Sequence, residues 1–215
     1  MKNIFKEILN SNNFTNWLKN SKNIERIIKG GRGKNQREII LRDIVFKELE
    51  KNIKDRFEKE KNKHDIREKN TKTTIEFGHN GLWQPTKYHI NKPISDFFKR
   101  AQECNKFYSV HFITDIIELA DTHKSYVGKS YLKKINYYIE NRKFAEDKLD
   151  EIKSDFKKLD SEPVFYNIKN LTSGGSSINL YIIIIGPIEK SNWKNIQKNF
   201  DGELNIVKKN IENLF

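Results

Sequence analysis

The clearest alternation of apolar and polar positions in this chain lies between Lys63 and Asn80. Ile66 precedes a polar stretch, Lys69–Lys72, and Ile75 and Phe77 follow it with one polar residue between them. These positions fit the period of two that is typical of a β-strand with one buried face. The pattern therefore predicts a β-hairpin whose turn lies within Lys69–Lys72.

The predicted hairpin has one register, whether its loop contains two or four residues. In that register Asp65 lies opposite Glu76, and Lys63 lies opposite Gly78, on the face away from the apolar residues. Two like charges directly opposed across a hairpin destabilise it by up to about 1 kcal/mol. A divalent cation held by hard oxygen ligands would offset that repulsion. The alternative interpretation is a solvated hairpin face.

Apolar residues at spacings of three and four predict several helices. Ile4–Asn20 is predicted to form two short helices, and Gln36–Ile53 one longer helix that the charged run up to Lys63 completes. Tyr131–Leu159 is predicted to be one long, charged helix with a narrow apolar stripe, which suits a helical arm or a dimer seam. A final helix is predicted after Ser191.

Strongly apolar segments outside the hairpin predict the remaining strands. Phe107–Ile117 is expected at the centre of the sheet, with His111 as a core histidine. Val164–Leu171 and Ile178–Gly186 are expected to pair around a mobile tip, and Pro187 is expected to end the sheet. The fold class that follows is α/β, with a mixed sheet of about five strands flanked by helices.

The length of 215 residues suits a single domain with a substantial core. Within that domain we expect an N-terminal helical segment, a core, a long helical arm, and a strand hairpin with a C-terminal helix. These segments correspond to residues 1–35, 36–125, 126–160 and 161–215.

Composition narrows the classes of partner and of cellular location. The net charge of +12 favours polyanionic partners, nucleic acid first, although the coding bias of an AT-rich genome is an alternative explanation. The single cysteine, Cys104, excludes an internal disulfide framework and a cysteine-cluster zinc site. The N-terminus lacks the apolar core of a signal peptide, and the longest apolar run, Tyr181–Ile185, is too short to span a bilayer. We therefore expect a cytoplasmic protein.

Two basic or aromatic stretches are candidates for contact with nucleic acid. The glycine-rich connector that contains Arg32 and Lys34 offers cations and a flexible backbone, although a plain linker has the same composition. The segment after the hairpin contains Trp83, Gln84 and Lys87, a combination suited to stacking on bases and pairing with phosphates. Trp83 as a cover of the core is the alternative interpretation.

The opposed carboxylates resemble the metal site of the PD-(D/E)XK nuclease superfamily, the fold of many restriction endonucleases. Asp65 matches the Asp of that motif and Glu76 matches its Glu, whereas the motif lysine is replaced by Gly78. The order of helix, hairpin, helix and strand over Gln36–Ile117 is also similar to the order in that superfamily. The resemblance implies a restriction-endonuclease-like fold and a Mg²⁺ ion bound by Asp65 and Glu76.

The same resemblance suggests supporting residues. Glu48, on the helix before the hairpin, matches a third carboxylate that reaches the metal in related nucleases, and Gln102 matches a position that supports the site. Lys63 is predicted to replace the motif lysine from the neighbouring strand, with Gly78 small to make room for it. Asn80 or a lysine near Lys87 is an alternative replacement.

The function expected from the sequence is a magnesium-dependent DNA endonuclease of the type II restriction enzyme kind. It would act on double-stranded DNA as a homodimer, with Asp65, Glu76 and Lys63 as its catalytic residues. One alternative is a catalytically inactive nuclease fold that binds DNA or regulates a partner, which the absence of the motif lysine favours. A second alternative is an interaction protein built on the predicted long helix Tyr131–Leu159.

Overall fold

A mixed sheet of six strands forms the centre of the fold. The computed structural model describes residues 1–30, 35–52, 57–59, 66–68, 70–100, 104–160, 162–192 and 196. The strands are β1 Phe57–Lys59, β2 Ile66–Glu68, β3 Thr73–Gly81, β4 Lys106–Glu118, β5 Val164–Ser173 and β6 Ser176–Glu189. Their order across the sheet is β1-β2-β3-β4-β6-β5. β3 and β4 run parallel, and the other neighbouring strands run antiparallel.

Helices cover both faces of this sheet. They are α1 Lys2–Asn10, α2 Asn12–Lys19, α3 Ser21–Lys29, α4 Asn35–Asn52, α5 Lys87–Arg100, α6 Asp121–Lys124, α7 Lys129–Glu140 and α8 Ala145–Leu159. Phe5 of α1 contacts Tyr108, whereas Phe97 of α5 contacts Phe107. Because neighbouring residues of a strand project to opposite faces, α1 and α5 lie on opposite faces of the sheet. α2, α3 and α4 contact one another beside α1, and α8 packs beside α5.

The N-terminal helices begin where the sequence provides caps. The Ser11 side chain accepts a hydrogen bond from the backbone of Phe14 at the start of α2, and Asn20 does the same for Lys22 at the start of α3. Such side chains satisfy amide groups that have no partner within the helix. α1 and α2 confirm the prediction of two short helices, whereas α3 was not predicted.

The predicted hairpin is confirmed over the three residue pairs that the structure describes. Ile66 pairs with Ile75, and the next two pairs follow in the predicted register. Asp65 and Lys63 lie outside the described residues. The interpretation of a solvated hairpin face is wrong, because only 4% of Glu76 is exposed. The reason is that α5 packs against β3 and covers the polar side of the strand.

β4 occupies an interior position of the sheet, as predicted. The strand is buried from Phe107 to Ile116, and His111 within it is fully buried. Continuous burial explains why the sequence of this strand shows little alternation of apolar and polar residues.

The predicted long helix Tyr131–Leu159 is wrong. α7 ends at Glu140, a 3₁₀-helix follows at Arg142–Phe144, and α8 begins at Ala145. Tyr138 and Arg142, on either side of the break, both donate hydrogen bonds to the buried carboxylate of Asp115. These contacts hold the two helices against the sheet, so they do not form a projecting arm.

Two strand boundaries also differ from the prediction. β5 and β6 are joined by a two-residue turn at Gly174 and Gly175, both with positive φ, and Ser176 beside it is buried. The strand ends that flank the tip are therefore packed, whereas the two glycines of the turn are exposed. β6 continues past Pro187 and ends at Glu189. Proline has no amide hydrogen to donate, and the register shift between β4 and β6 at this point accommodates it.

Three further segments, around α4, around α5 and at the C-terminus, can be compared with the predicted elements. α4 closely matches the predicted helix, but the charged run after it contains strand β1 instead of more helix. Lys87 begins α5, and this helix passes through Pro93. The predicted C-terminal helix lies outside the described residues except for Ile196. Within the described ranges, none of the helices has the length and apolar character needed to cross a membrane.

Candidate functional site

A cluster of charged side chains lies between β3 and α5. Arg100 donates a hydrogen bond from Nε to Glu76 Oε1 at 2.7 Å, and Lys92 Nζ donates to Asp96 Oδ2 at 2.6 Å. Lys92, Asp96 and Arg100 are four residues apart, so they form one stripe along α5. Glu76 and Asp96 are both buried, and each has a cation from this stripe as a partner.

Glu38 of α4 adds a third carboxylate to this cluster. Its side chain is buried, although it belongs to a different helix. Burial alone would lower the pKa of Lys92, but the charges of Asp96, Glu38 and Glu76 together raise that pKa above its ordinary value. Lys92 is therefore an ammonium group surrounded by carboxylates from β3, α4 and α5.

The space above Gly78 is filled by two other residues. A Cβ atom at Gly78 would lie 2.6 Å from His111 Nδ1 and 3.3 Å from Lys92 Cγ. Two described side chains therefore account for the small residue without Lys63, which lies outside the described residues. The side chains of His111 and Lys92 require the glycine, and they do so because α5 crosses β3 at this point.

The partners of Glu48 that the structure describes lie outside the charged cluster between β3 and α5. Glu48 accepts hydrogen bonds from Lys51 at 2.8 Å and from Asn13 of α2 at 3.3 Å. It lies about 15 Å along α4 from Glu38, since each helical residue advances the chain by about 1.5 Å. Glu38, and not the predicted Glu48, is the glutamate of α4 whose charge acts on Lys92.

A cleft of about 1280 Å³ opens beside the charged cluster, at the C-terminal end of β3. Three predicted residues, Asn80, Trp83 and Gln84, line it. The Asn80 side chain donates to the Tyr88 carbonyl, and the Gln84 side chain accepts from the Gly81 amide. These bonds fix the segment that follows β3.

The other residues predicted to contact nucleic acid are placed differently or are not described. Lys87 is exposed at the start of α5 and is not one of the described residues that line the cleft. Arg32, Lys34 and the predicted supporting residue Gln102 lie outside the described residues.

Several residues of the cleft were not predicted from the sequence. Arg37 donates to the carbonyl groups of Ile27 and Ile28, at the C-terminal end of α3, where a cation is favoured. Burial lowers the pKa of Arg37 to about 10, so it keeps its charge at neutral pH. Lys29, Lys92 and Glu38 complete the charged lining. These residues come from three helices, and no local pattern links them.

His79 is neutral in this cleft. Its Nε2 lies 2.7 Å from Thr114 Oγ1, and burial, followed by the charges of Arg37 and His89, lowers its pKa well below the ordinary value. The prediction placed His79 on the same strand face as Phe77, which the alternation of β3 supports. His79 nevertheless lines the cleft, because it lies near the end of the strand.

Two other clusters of polar side chains contain residue types that are common in active sites, but both clusters are buried. Asp115 is fully buried and accepts hydrogen bonds from Tyr138, Arg142 and Asn179. His123 Nδ1 lies 2.7 Å from Ser176 Oγ, yet only 1% of Ser176 is exposed. A substrate therefore does not reach either group.

The described residues alone do not form a magnesium site. Among them, no group of three or more His, Cys, Asp or Glu side chains is placed to hold a metal ion. Glu76 is described and bonded to Arg100, whereas its predicted partner, Asp65, lies outside the described residues. Comparisons with models of protein families, with curated proteins and with solved structures found no match to this chain.

Proposed function

We propose that the protein is a magnesium-dependent DNA endonuclease of the type II restriction enzyme kind, with Glu76 as a central residue. The observation that carries this proposal is the position of Glu76. It is a buried carboxylate on the strand whose hairpin register matches the prediction, and Arg100 holds it in place. The surrounding cluster reaches a basic cleft through Glu38 and Lys92.

In this proposal each residue has a separate task. Glu76 and Asp65 would hold the metal ion, and Arg100 fixes the orientation of the Glu76 carboxylate. A bound Mg²⁺ ion would polarise the scissile phosphate and lower the pKa of an attacking water. Lys92 presents its ammonium group to the phosphate from α5, and so takes over the role that the sequence analysis gave to Lys63.

The cleft supplies the binding surface in this proposal. Lys29 and Arg37 would attract the phosphate backbone. Trp83 is only 8% exposed and packs in the core, as the alternative interpretation held, so it forms part of the wall of the cleft. Double-stranded DNA as the substrate and a homodimer as the active form stay predictions from the sequence.

The test is incubation of the protein with supercoiled plasmid in magnesium, against a control with EDTA. Replacement Glu76→Gln removes one charge with little change in volume, and we expect the cleavage rate to fall by about a thousandfold or more. Glu50→Gln is the matched control, because Glu50 is an exposed glutamate of α4. A Glu76→Gln variant that cuts at the wild-type rate would rule out this assignment.

The second candidate is a catalytically inactive nuclease fold that binds DNA or regulates a partner. The observation that favours it is that Arg100 and Lys92 already provide ion-pair partners for Glu76 and Asp96. This candidate predicts plasmid binding without cleavage in magnesium. It also predicts that Glu76→Gln changes the stability of the fold while DNA affinity stays the same.

A further inference from the structure

The exposed aromatic side chains are concentrated on one part of the surface. In the part of the chain that the structure describes, five large apolar side chains are exposed: Tyr88, Tyr126, Tyr131, Tyr137 and Phe144. The first three line the cleft already described. The other two line a second cavity of about 580 Å³. Trp83 lines both cavities, so the two are neighbours and form one aromatic path.

Cations accompany these rings along the whole path. The lysines and the arginine that line the two cavities are Lys29, Arg37, Lys92, Lys133, Lys134 and Lys148. Of the described lining residues, Glu38 alone is acidic. Lys29 Nζ lies 4.0 Å from the ring centre of Tyr126, and Lys134 Nζ lies 5.9 Å from that of Tyr131. Lys29 and Lys92 are also paired with the carboxylates of Glu25 and Asp96. Phosphate groups and flat rings would both find partners on this surface.

A surface of exposed rings and cations should bind an unpaired strand in preference to a duplex. An exposed tyrosine can stack on a base only if the face of that base is open, and in a duplex neighbouring bases cover those faces. Cations beside the rings can pair with the phosphates of the same strand. A double helix would use the cations but leave the rings without partners.

We propose that the aromatic path binds a single-stranded polynucleotide, with bases stacked on its tyrosines and phosphates paired with its lysines. This inference rests on the proposed function for nucleic acid as the class of partner. It goes further in naming an unpaired segment of the substrate, instead of the predicted duplex, as the occupant of this surface.

The test compares three fluorescein-labelled ligands of equal length by anisotropy in EDTA, so that no cleavage occurs. They are a thymidine oligomer, the same oligomer with abasic residues, and a DNA duplex. The abasic oligomer keeps the phosphates but has nothing to stack. We expect the thymidine oligomer to bind at least about tenfold more tightly than either of the others, because stacking adds to affinity base by base.

Variants of the rings identify the surface. Tyr126→Ala and Tyr137→Ala should each weaken binding of the thymidine oligomer by roughly 5- to 100-fold, and neither should alter binding of the abasic oligomer. Tyr126→Phe keeps the ring and should bind like the wild type. Both tyrosines are exposed, so melting curves should be unchanged in all three variants.

A variant of the cations gives an independent measurement. For single strands, each lost phosphate contact reduces the slope of log affinity against log salt by about 0.7. Lys134→Ala should show this reduction. Lys169→Ala should not, because Lys169 lies on β5, at the other edge of the sheet from the hairpin.

The outcomes separate this inference from the proposed function. Equal affinity for the thymidine and abasic oligomers, or tighter binding of the duplex, would overturn the single-strand inference. Tight binding of the thymidine oligomer that depends on Tyr126 and Tyr137 supports it, whether or not the protein cuts plasmid. Cleavage in magnesium and its dependence on Glu76 decide the proposed function alone.

Discussion

Two buried acidic groups lie on the same face of the sheet but differ in their surroundings. Glu76 pairs with Ser109 across the parallel strands, and Ser109 and Asp115 are an even number of residues apart on β4. Both carboxylates therefore project toward the layer formed by α5, α7 and α8. Asp115 is fully buried, with hydrogen bonds from Tyr138, Arg142 and Asn179. Glu76 belongs to a cluster whose ammonium group lines an open cleft.

Under the proposed function, a buried charge serves structure at Asp115 and chemistry at Glu76. A buried carboxylate with three donors is satisfied, and its main effect is to hold two helices and a strand together. The Glu76 cluster also pairs its charges, but Lys92 has a side chain that is 39% exposed. A ligand in the cleft can therefore reach the ammonium group. We expect mutations at Asp115 to affect stability alone, and mutations at the Glu76 cluster to affect activity as well as stability.

The largest effect should follow from removal of the Lys92 charge. We expect Lys92→Met to lower the rate of plasmid cleavage by about 100- to 1000-fold, since the ammonium group would stabilise charge on the phosphate during reaction. The free energy of unfolding should also fall, by about 2 kcal/mol, because the buried carboxylate of Asp96 loses its cation. Cleavage kinetics and urea unfolding measure the two effects separately.

The control for this variant is Lys157→Met, which makes the same change in net charge on the exposed surface of α8. It should leave the cleavage rate within about twofold of the wild type, as surface substitutions normally have small effects. Equal losses in both variants would show that net charge, and not the position of Lys92, determines the rate.

The next effect should follow from removal of the Asp115 carboxylate. We expect Asp115→Ala to lower the free energy of unfolding by about 3 kcal/mol, because three donors lose a charged acceptor in the interior. Urea unfolding measures this loss. The folded fraction should still cleave plasmid at the wild-type rate. Asp121→Ala, at an exposed aspartate paired with Lys124, should leave the free energy of unfolding nearly unchanged.

An Asp115→Ala variant that retains full stability would mean that the three donors find other acceptors. A variant that is stable but inactive would contradict the division between the two clusters. Both results are visible in one preparation, since unfolding and cleavage are measured on the same sample.

The strands of this fold were easier to predict than the site. Alternation around Ile75 and Phe77 gave the correct hairpin register, because in a strand a shift of one residue exchanges the two faces. The sixth strand, β1, was missed because Phe57 is the one apolar residue of its three-residue span.

The partners of Glu76 depend on packing that no local pattern contains. Arg100 is 24 residues from Glu76, and it reaches that carboxylate because α5 crosses β3 in one particular direction. The same crossing places Lys92 over Gly78. The prediction of Lys63 rests on hairpin register, which carries no information about a side chain that reaches Gly78 from a helix.

The break between α7 and α8 has a similar explanation. The apolar stripe is weak at Arg142 and at Ala145–Glu146 but resumes at Leu149, so the pattern alone predicts one helix. The chain turns because Tyr138 and Arg142 both bond to Asp115 on β4, a contact across more than 20 residues. Tertiary contacts of this kind override local helical preference.

The smallest effect concerns the two histidines near these clusters. His89 of α5 and His111 of β4 are fully buried, with ring centres 5.8 Å apart. Burial, together with the charge of Lys148, lowers the pKa of His89 to about 3. Burial, followed by the charges of His89, His79 and Lys92, lowers the pKa of His111 well below its ordinary value. The folded protein therefore keeps both rings neutral in mildly acidic solution.

The unfolded chain binds protons at these histidines below about pH 6.5, whereas the folded protein does not bind one at His89 until about pH 3. Stability should therefore be constant above about pH 6.5 and fall as the pH decreases through this window, by roughly 2 kcal/mol for His89 between about pH 6.5 and 4.5. His89→Leu removes this proton uptake from the unfolded state. Urea unfolding should show that the variant loses roughly 2 kcal/mol less than the wild type over the same interval. Parallel decreases in the two proteins would mean that His89 takes up its proton while folded, in contradiction to its burial.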